Sequence, residues 1–338
     1  MKRRAYLAEK PGSINNLKIV EQDLKPPAEN EVTVEVKAIG LNYADIFTVL
    51  GLYKAAPGRN IIPGIEFSGV VFDTGKNVKN FQSGDRIYGS TKFGAYASHL
   101  NIDSFYILKI PDKWNYEQAA ASIVQPLTAY YALVVLAQVQ KGNTVLIHSA
   151  AGGVGLNANR IAKKLGAFTI GTVGNPDKLP VLDNEGYDRK IVRGKNLRKD
   201  ILAALGDREL NVVLDSVGSK VFKTSFDLLA PMGRIIVYGA GAYSTGNASS
   251  DLFKLAFTYL TRPKIDPLTM IEQNRAVMAF NLIWLYEKGE LLKGYLNELQ
   301  KLELGEPFIS EIFGFDDLKS AMLRLKSGKT TGKIIVKI

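Results

Sequence analysis

The run Ser149-Ala150-Ala151-Gly152-Gly153-Val154-Gly155-Leu156-Asn157-Ala158 holds the residues whose types and spacing say most about chemistry. Gly153, Gly155 and Ala158 fit a G-x-G-x-x-G/A pattern. Glycine permits a tight turn and a close approach of a diphosphate to the backbone. The amides that open the following helix can then hold the negative charge. Ala158 keeps that helix close to its strand. Gly152, Gly153, Val154 and Gly155 are therefore candidate dinucleotide contacts. The bland alternative is a glycine turn in some other α/β protein, and the order strand, loop, helix, strand around this run favours the dinucleotide.

About 20 residues further on, at the end of the second strand, an acidic residue commonly holds the ribose 2′-hydroxyl of NAD. Here the chain reads Gly171-Thr172-Val173-Gly174-Asn175 and offers no carboxylate. Asp177 falls inside the next helix, where it stabilises the first turn. Lys178 and Arg193 are available for a 2′-phosphate, and Gly174 and Asn175 border the same place. NADPH is expected in preference to NADH.

These residues need a parallel sheet to position them. Thr144 to His148 reads as a buried strand, Gly155 to Leu165 as a helix and Ala167 to Val173 as the next strand. Asn175-Pro176 opens another helix, with Asn at the cap and Pro in the first turn. Further strands are expected at Lys190 to Val192, Asn211 to Asp215 and Arg234 to Tyr238, then a sixth at Ala276 to Phe280. Parallel strands require helical crossovers, so the class is α/β, a doubly wound sheet. Ahead of it, Val32 to Ala38 alternates as a half-buried strand does, Phe67 to Phe72 reads as another, and Gly84-Asp85-Arg86 turns into a third. One long amphipathic helix is expected from Leu282 towards Leu302. The tail from Phe308 reads as strand, helix (Asp316 to Leu325) and strand, a unit that could return to the first domain. The expected division is 1–124, 125–282 and 283–338.

Composition narrows the function classes. Of 338 residues, 46% are hydrophobic and 22% charged, which excludes a disordered or fibrous chain. Without a single cysteine there is no disulfide framework, thiolate metal site or cysteine nucleophile. Met1 to Leu7 carries charge with no apolar core behind it, so no signal peptide is expected. The longest apolar stretch, around Leu127 to Ala137, falls short of the roughly 20 residues that span a bilayer. A cytoplasmic protein is the expectation. The net charge of +10 could attract anions, but the lysines are spread along the chain, with short clusters only at Lys163-Lys164 and Lys195 to Lys199.

Several stretches together resemble the zinc-independent quinone oxidoreductases of the medium-chain dehydrogenase/reductase superfamily. They are Ala38-Ile39-Gly40-Leu41-Asn42-Tyr43-Ala44-Asp45, Gly51-Leu52-Tyr53, Pro63 to Val70, Gly84-Asp85-Arg86, Leu127-Thr128-Ala129, the glycine loop, Asp215-Ser216-Val217-Gly218 and Gly233-Arg234. Asn274 to Leu285 looks most like the VAT-1-like branch. The resemblance implies a Rossmann domain inserted into a strand-rich, partly open GroES-like catalytic domain built from both chain ends. It also implies that Asn42, Asp45 and Tyr53 line the substrate site. Asn42 and Tyr53 would donate hydrogen bonds to a carbonyl oxygen gaining charge as hydride arrives. Loop packing for Tyr53, and a cap or salt bridge for Asp45, are the plainer readings. Asn42, Thr128, Val217, Tyr238, Gly239 and Phe280 carry over as cofactor contacts.

Zinc-containing relatives carry histidine where this chain has Ile65, between Gly64 and Glu66, so no metal is expected. His99 and His148 read as structural, His148 at the end of the first sheet strand. The expected reaction is hydride transfer from NADPH to a small electrophile: a quinone, an enone or an aldehyde. An NADPH-binding protein that holds RNA or a membrane surface is the rival. No recognition motif or strongly basic amphipathic helix supports it, so no nucleic-acid or membrane partner is expected. The sixth strand would leave an apolar sheet edge, which predicts a homodimer. The competing reading is that the insertion between Tyr243 and Asp266 covers that edge.

Overall fold

The computed structural model describes residues 1–243, 248–249 and 251–338. The strands in chain order are β1 (Lys2–Ala8), β2 (Leu17–Asp23), β3 (Glu31–Gly40), β4 (Glu66–Thr74), β5 (Arg86–Ser90), β6 (His99–Asp103) and β7 (Ile107–Lys109). There follow β8 (Thr144–His148), β9 (Phe168–Val173), β10 (Arg189–Val192), β11 (Val212–Asp215), β12 (Arg234–Val237) and β13 (Ala276–Ala279). The last two are β14 (Ile309–Gly314) and β15 (Lys333–Lys337). The helices are α1 (Tyr43–Val49), α2 (Tyr116–Ala119), α3 (Val124–Tyr130), α4 (Gly153–Lys164), α5 (Leu179–Asn184) and α6 (Leu197–Leu205). They continue with α7 (Ser219–Leu228), α8 (Leu252–Leu260), α9 (Pro267–Gln273), α10 (Gly289–Lys301) and α11 (Leu318–Lys326).

The chain forms two compact units. The first holds residues 1–124, 245–250 and 306–338, and the second holds 125–244 and 251–305. Among the described residues, the second unit carries a parallel sheet in the order β10-β9-β8-β11-β12-β13. That is the doubly wound order, with the chain reversing direction across the sheet between β8 and β11. Its strands are short apolar runs because both faces are covered: Leu146, Ile170, Val213 and Ile235 are buried with Ile201, Phe222 and Phe226 of α6 and α7.

The first unit is mainly antiparallel. Its large sheet runs β14-β15-β3-β4-β5-β7, with β6 also on β3 and a separate β1-β2 pair. Val32, Val34, Val36, Phe67, Ile87 and Val336 form its core with Ile46 of α1 and Leu318 and Met322 of α11. The C-terminal return is a strand–helix–strand, and β15 pairs antiparallel with β3 at Ile335–Gly40.

The strand at Val32 to Ala38 alternates as expected, with Val34, Val36 and Ala38 buried and Glu35 and Lys37 partly exposed, although Thr33 is buried and its hydroxyl donates to Asn101 Oδ1 of β6 at 2.7 Å. Three expectations are corrected. The long helix from Leu282 is two pieces. A tight turn of helix over Leu282–Glu287 ends at Lys288, in a non-helical conformation, and α10 starts at Gly289. The break falls on Lys288, whose φ of -121° and ψ of 56° lie outside the helical region. Tyr295 of α10 packs against Tyr130 and Tyr131, so α10 belongs to the second unit and the returning segment begins at Glu306 rather than at 283.

The third correction concerns apolar length. The helical run Tyr116–Leu136, 21 residues, is long and apolar enough to cross a membrane by length and composition, because the chain already winds helically before Leu127. Its most apolar window is 67% buried within the molecule, as in a core helix.

Candidate functional site

In the second unit the glycine loop follows β8 and opens α4. Gly152 is the cap, and the first closing helical bond runs from Leu156 N–H to Gly152 O at 2.9 Å. The amides of Gly153, Val154 and Gly155 precede that bond, which makes them available for an anion. A Cβ on Gly155 would lie 2.6 Å from Ala150 O and 2.7 Å from Ser149 O, so no larger residue fits the loop's return. Ala158 is fully buried against the sheet, as its place in the pattern requires. Tyr187 supports the loop from within: its hydroxyl donates to Gly155 O at 2.8 Å.

At the end of β9 the arrangement suits a phosphate. Arg193 follows β10 and bonds its own N–H to Val173 O. Its Nη1 donates to Thr172 O at 3.1 Å and to Thr172 Oγ1 at 3.0 Å, and its Nη2 lies 3.2 Å from where a Cβ on Gly174 would stand. Gly174 itself is exposed. Asn175 caps the following turn by accepting from Asp177 N–H, and its Nδ2 donates to Asp177 Oδ2. Asp177 is thus a turn residue, as its position in the sequence implied, and the half-buried Lys178 follows it.

The remaining expected cofactor contacts lie at the same carboxyl ends of the strands. Asp215 accepts from Val217 N–H and Gly218 N–H at 2.8 and 3.0 Å and so shapes the loop after β11. Burial pushes its carboxyl upward, while those two amides and the Arg193 charge pull it back. Tyr238 and Gly239 follow β12, and Tyr238 stacks on Phe280 with ring centres 6.4 Å apart. Burial raises the Tyr238 phenol to about 12. Phe280 also meets the edge of Tyr131 at 4.9 Å. Thr128 is buried in α3 of this unit.

The first unit gathers a second set. Lys333 Nζ donates to Glu66 Oε2 at 2.5 Å and to Asn42 Oδ1 at 2.8 Å. Asn42 Nδ2 donates to Gly40 O at 3.1 Å and to Glu66 Oε2 at 3.2 Å. Glu66 Oε1 accepts from the amides of Ile123 and Val124 at 2.8 and 3.0 Å. All three side chains are buried. A Cβ on Gly40 would sit 2.1 Å from Ala120 O and 2.8 Å from Lys333 Cε, so glycine is what lets the cluster close.

Asp45, in the first turn of α1, completes the cluster. Its Oδ2 accepts from Asn42 N–H at 2.8 Å and from the Tyr96 hydroxyl at 2.9 Å, while Oδ1 is buried with no hydrogen-bond partner among the described residues. Burial raises its carboxyl from 3.8 to about 7, against the opposing pull of those two donors and of Lys333.

Asn42 and Asp45 therefore sit together, but not in the expected roles. Both Nδ2 hydrogens of Asn42 are engaged within the protein, so it has no donor to offer a substrate carbonyl; it is held as a spacer between Lys333 and Glu66. Asp45 is the helix-capping acid of the plainer reading. Tyr53 is half-buried in the loop after α1, with its ring edge-on to Phe93 at 6.5 Å. The sequence reading passed over Lys333, Tyr96 and Tyr187. Lys333 would have been found only by asking what charge could neutralise Glu66 inside the sheet. His148 is structural: it ends β8 fully buried, and burial, with the nearby charge of Arg193, holds its imidazole down to about 3.

Known proteins bear on both units. The alcohol dehydrogenase GroES-like domain model matches residues 28–112, and the zinc-binding dehydrogenase model matches residues 153–277. The human synaptic vesicle membrane protein VAT-1 homolog is 29% identical over 330 residues, 96% of this chain and 84% of that protein. The crystal structure of Escherichia coli quinone oxidoreductase complexed with NADPH superimposes with a TM-score of 0.85 at 30% identity, covering 100% of both chains. A reducing polyketide synthase of Hypomyces subiculosus is 32% identical over 338 residues, 97% of this chain and 13% of that enzyme. Among the described residues there is no group of three or more His, Cys, Asp or Glu placed to hold a metal ion.

Proposed function

Since the chain belongs to the quinone oxidoreductase family of the medium-chain dehydrogenase/reductase superfamily, on its VAT-1-like branch, we propose that it is an NADPH-dependent reductase of small electrophiles such as quinones, enones or aldehydes. The observation that carries the reading is the glycine loop at the start of α4 with Arg193 at the end of β9. The free amides at Gly153 to Gly155 would hold the diphosphate. Arg193 would hold the 2′-phosphate with Lys178 beside it, and no carboxylate from the end of β9 competes for a bare hydroxyl. Tyr238 and Phe280 offer aromatic faces at the strand ends where dinucleotides lie.

NADPH supplies the hydride. The protein's part is binding, orientation and electrostatics. In the first unit, the half-buried Tyr53 hydroxyl is the proposed donor to an oxygen gaining negative charge. Asn42, Asp45, Glu66, Lys333 and Tyr96 form the buried polar support beneath α1. Steady-state oxidation of NADPH, screened against quinones, enones and aldehydes, tests the reading.

The proposed working form is a homodimer. β13 ends the parallel sheet and pairs only with β12 among the described residues, which leaves one edge unsatisfied. Helices α8 and α9, which precede it, expose Phe253, Phe257, Leu260, Leu268 and Ile271, an apolar surface that monomers rarely leave bare. Residues 244–247 and 250, part of the insertion between Tyr243 and Asp266 that the competing reading folds over this edge, lie outside the described residues.

A further inference from the structure

We infer that Thr172 and His148 are positioning residues for Arg193, and that through it they set the choice between phosphorylated and unphosphorylated dinucleotide. The inference rests on the cofactor reading above and adds the residues that make the arginine selective.

Three adjacent strands bring these residues together. His148 ends β8, Thr172 lies opposite it on β9, and Arg193 follows Val192, the last residue of β10. His148 Nδ1 is 2.8 Å from Thr172 Oγ1, and His148 Nε2 is 2.8 Å from Ser225 Oγ on α7. Ser225 Oγ in turn donates to Val221 O at 2.9 Å.

One placement of the protons gives every donor in this chain an acceptor. The Ser225 hydroxyl gives its one proton to Val221 O and accepts from His148. His148 therefore carries its proton on Nε2 and presents a bare Nδ1. The Thr172 hydroxyl proton goes to that nitrogen, which leaves the oxygen's lone pairs for Arg193 Nη1. A neutral imidazole is required throughout, and the low value at which burial holds His148 agrees with it.

The consequence falls on the guanidinium. Nη1 spends both hydrogens on Thr172, on the carbonyl and the hydroxyl. Nε and Nη2 make no further hydrogen bond to a described residue, and Nη2 lies beside exposed Gly174. A long side chain that would otherwise lose considerable rotamer freedom on binding is already aimed, with two donors in a planar fork left for a phosphate. None of these contacts would distinguish the adenosine or nicotinamide portions, so the effect is confined to the 2′ position.

Dissociation constants of NADPH and NADH, measured by fluorescence on the whole protein, test the idea in the parent, Thr172→Val and Thr172→Ser, with circular dichroism to confirm folding. Loss of one bond to a charged donor should cut the preference for NADPH about tenfold in Thr172→Val, leaving NADH binding nearly unchanged. Thr172→Ser, which keeps the hydroxyl, should restore the parent ratio. If Thr172→Val does not fold, Ser225→Ala is read by the same ratio; it removes the acceptor that fixes the His148 tautomer and should lower the preference less. An unchanged ratio in a folded variant overturns the inference while leaving the cofactor reading intact. Equal binding of the two dinucleotides by the parent overturns both.

Discussion

Lys333 and Glu66 face each other as a fully buried ion pair, Nζ to Oε2 at 2.5 Å, and so tie the start of the chain's last strand to the start of β4. Asn42 bridges the pair, and the amides of Ile123 and Val124 satisfy the second carboxylate oxygen. A buried charge is tolerated only where its partners are in place, so the pair makes the returning C-terminal segment a structural requirement of the first unit.

Lys333→Met should destabilise the first unit by about 3–5 kcal/mol, because it leaves the Glu66 carboxylate buried without its counter-charge. The double variant Lys333→Met/Glu66→Gln should be much less than additive, as expected of residues in contact. Urea denaturation followed by fluorescence measures both. A loss below about 1 kcal/mol for the single variant would show that the pair contributes little.

Asp45 should give the first unit a stability that declines with pH. Its carboxyl titrates at about 7 when folded, against 3.8 for the ordinary group. The folded state holds the proton more tightly, so this contribution is fully present below the ordinary value and is lost as pH rises through about 7. The slope is at most about 1.4 kcal/mol per pH unit within that window. Asp45→Asn should flatten the dependence between about pH 4 and about pH 7, measured by denaturation across that range. An unchanged slope would place the titration elsewhere.

How much of this was legible is clearest from particular residues. The strand Thr144 to His148 was read to the residue, since a short apolar run between a turn and a glycine loop has few other meanings. Ala276 to Phe280 was found for the same reason and ends one residue earlier. Lys333 was not legible as a site: alternation in Lys333-Ile334-Ile335-Val336-Lys337 puts both lysines on one face, which suggests solvent. Only the pairing of β15 with β3 brings Lys333 near Glu66, 267 residues away in the chain. Asn42 was given a donor role in the substrate site, because sequence cannot show that both its amide hydrogens are already taken. The break at Lys288 was hidden for a similar reason: the apolar spacing continues across it, and the packing of Tyr295 decides where α10 lies.

Cofactor choice should depend on two basic side chains. NADPH should bind more tightly than NADH, and Lys178→Ala/Arg193→Ala should narrow the difference by weakening NADPH alone. Fluorescence titration of both dinucleotides would show it. A double variant that loses affinity for the two equally would mean that these residues support the fold rather than the 2′-phosphate.

The apolar helix α8 offers a handle on assembly. Light scattering at micromolar concentration should give the mass of a dimer, and Phe257→Asp, which places a charge on an exposed apolar face, should shift it towards the monomer. A monomeric parent, unchanged by concentration, would set the dimer aside and leave that face to another partner.

The account turns on reduction of a small electrophile by NADPH, and one measurement tests it most directly. NADPH oxidation by the purified protein is followed by absorbance with quinones, enones and aldehydes in turn, alongside Gly155→Val, whose side chain would collide with the loop backbone at Ala150. The account predicts acceptor-dependent turnover by the parent, with at least one acceptor class, and its loss in Gly155→Val. Tight binding of NADPH with no oxidation by any acceptor would contradict it.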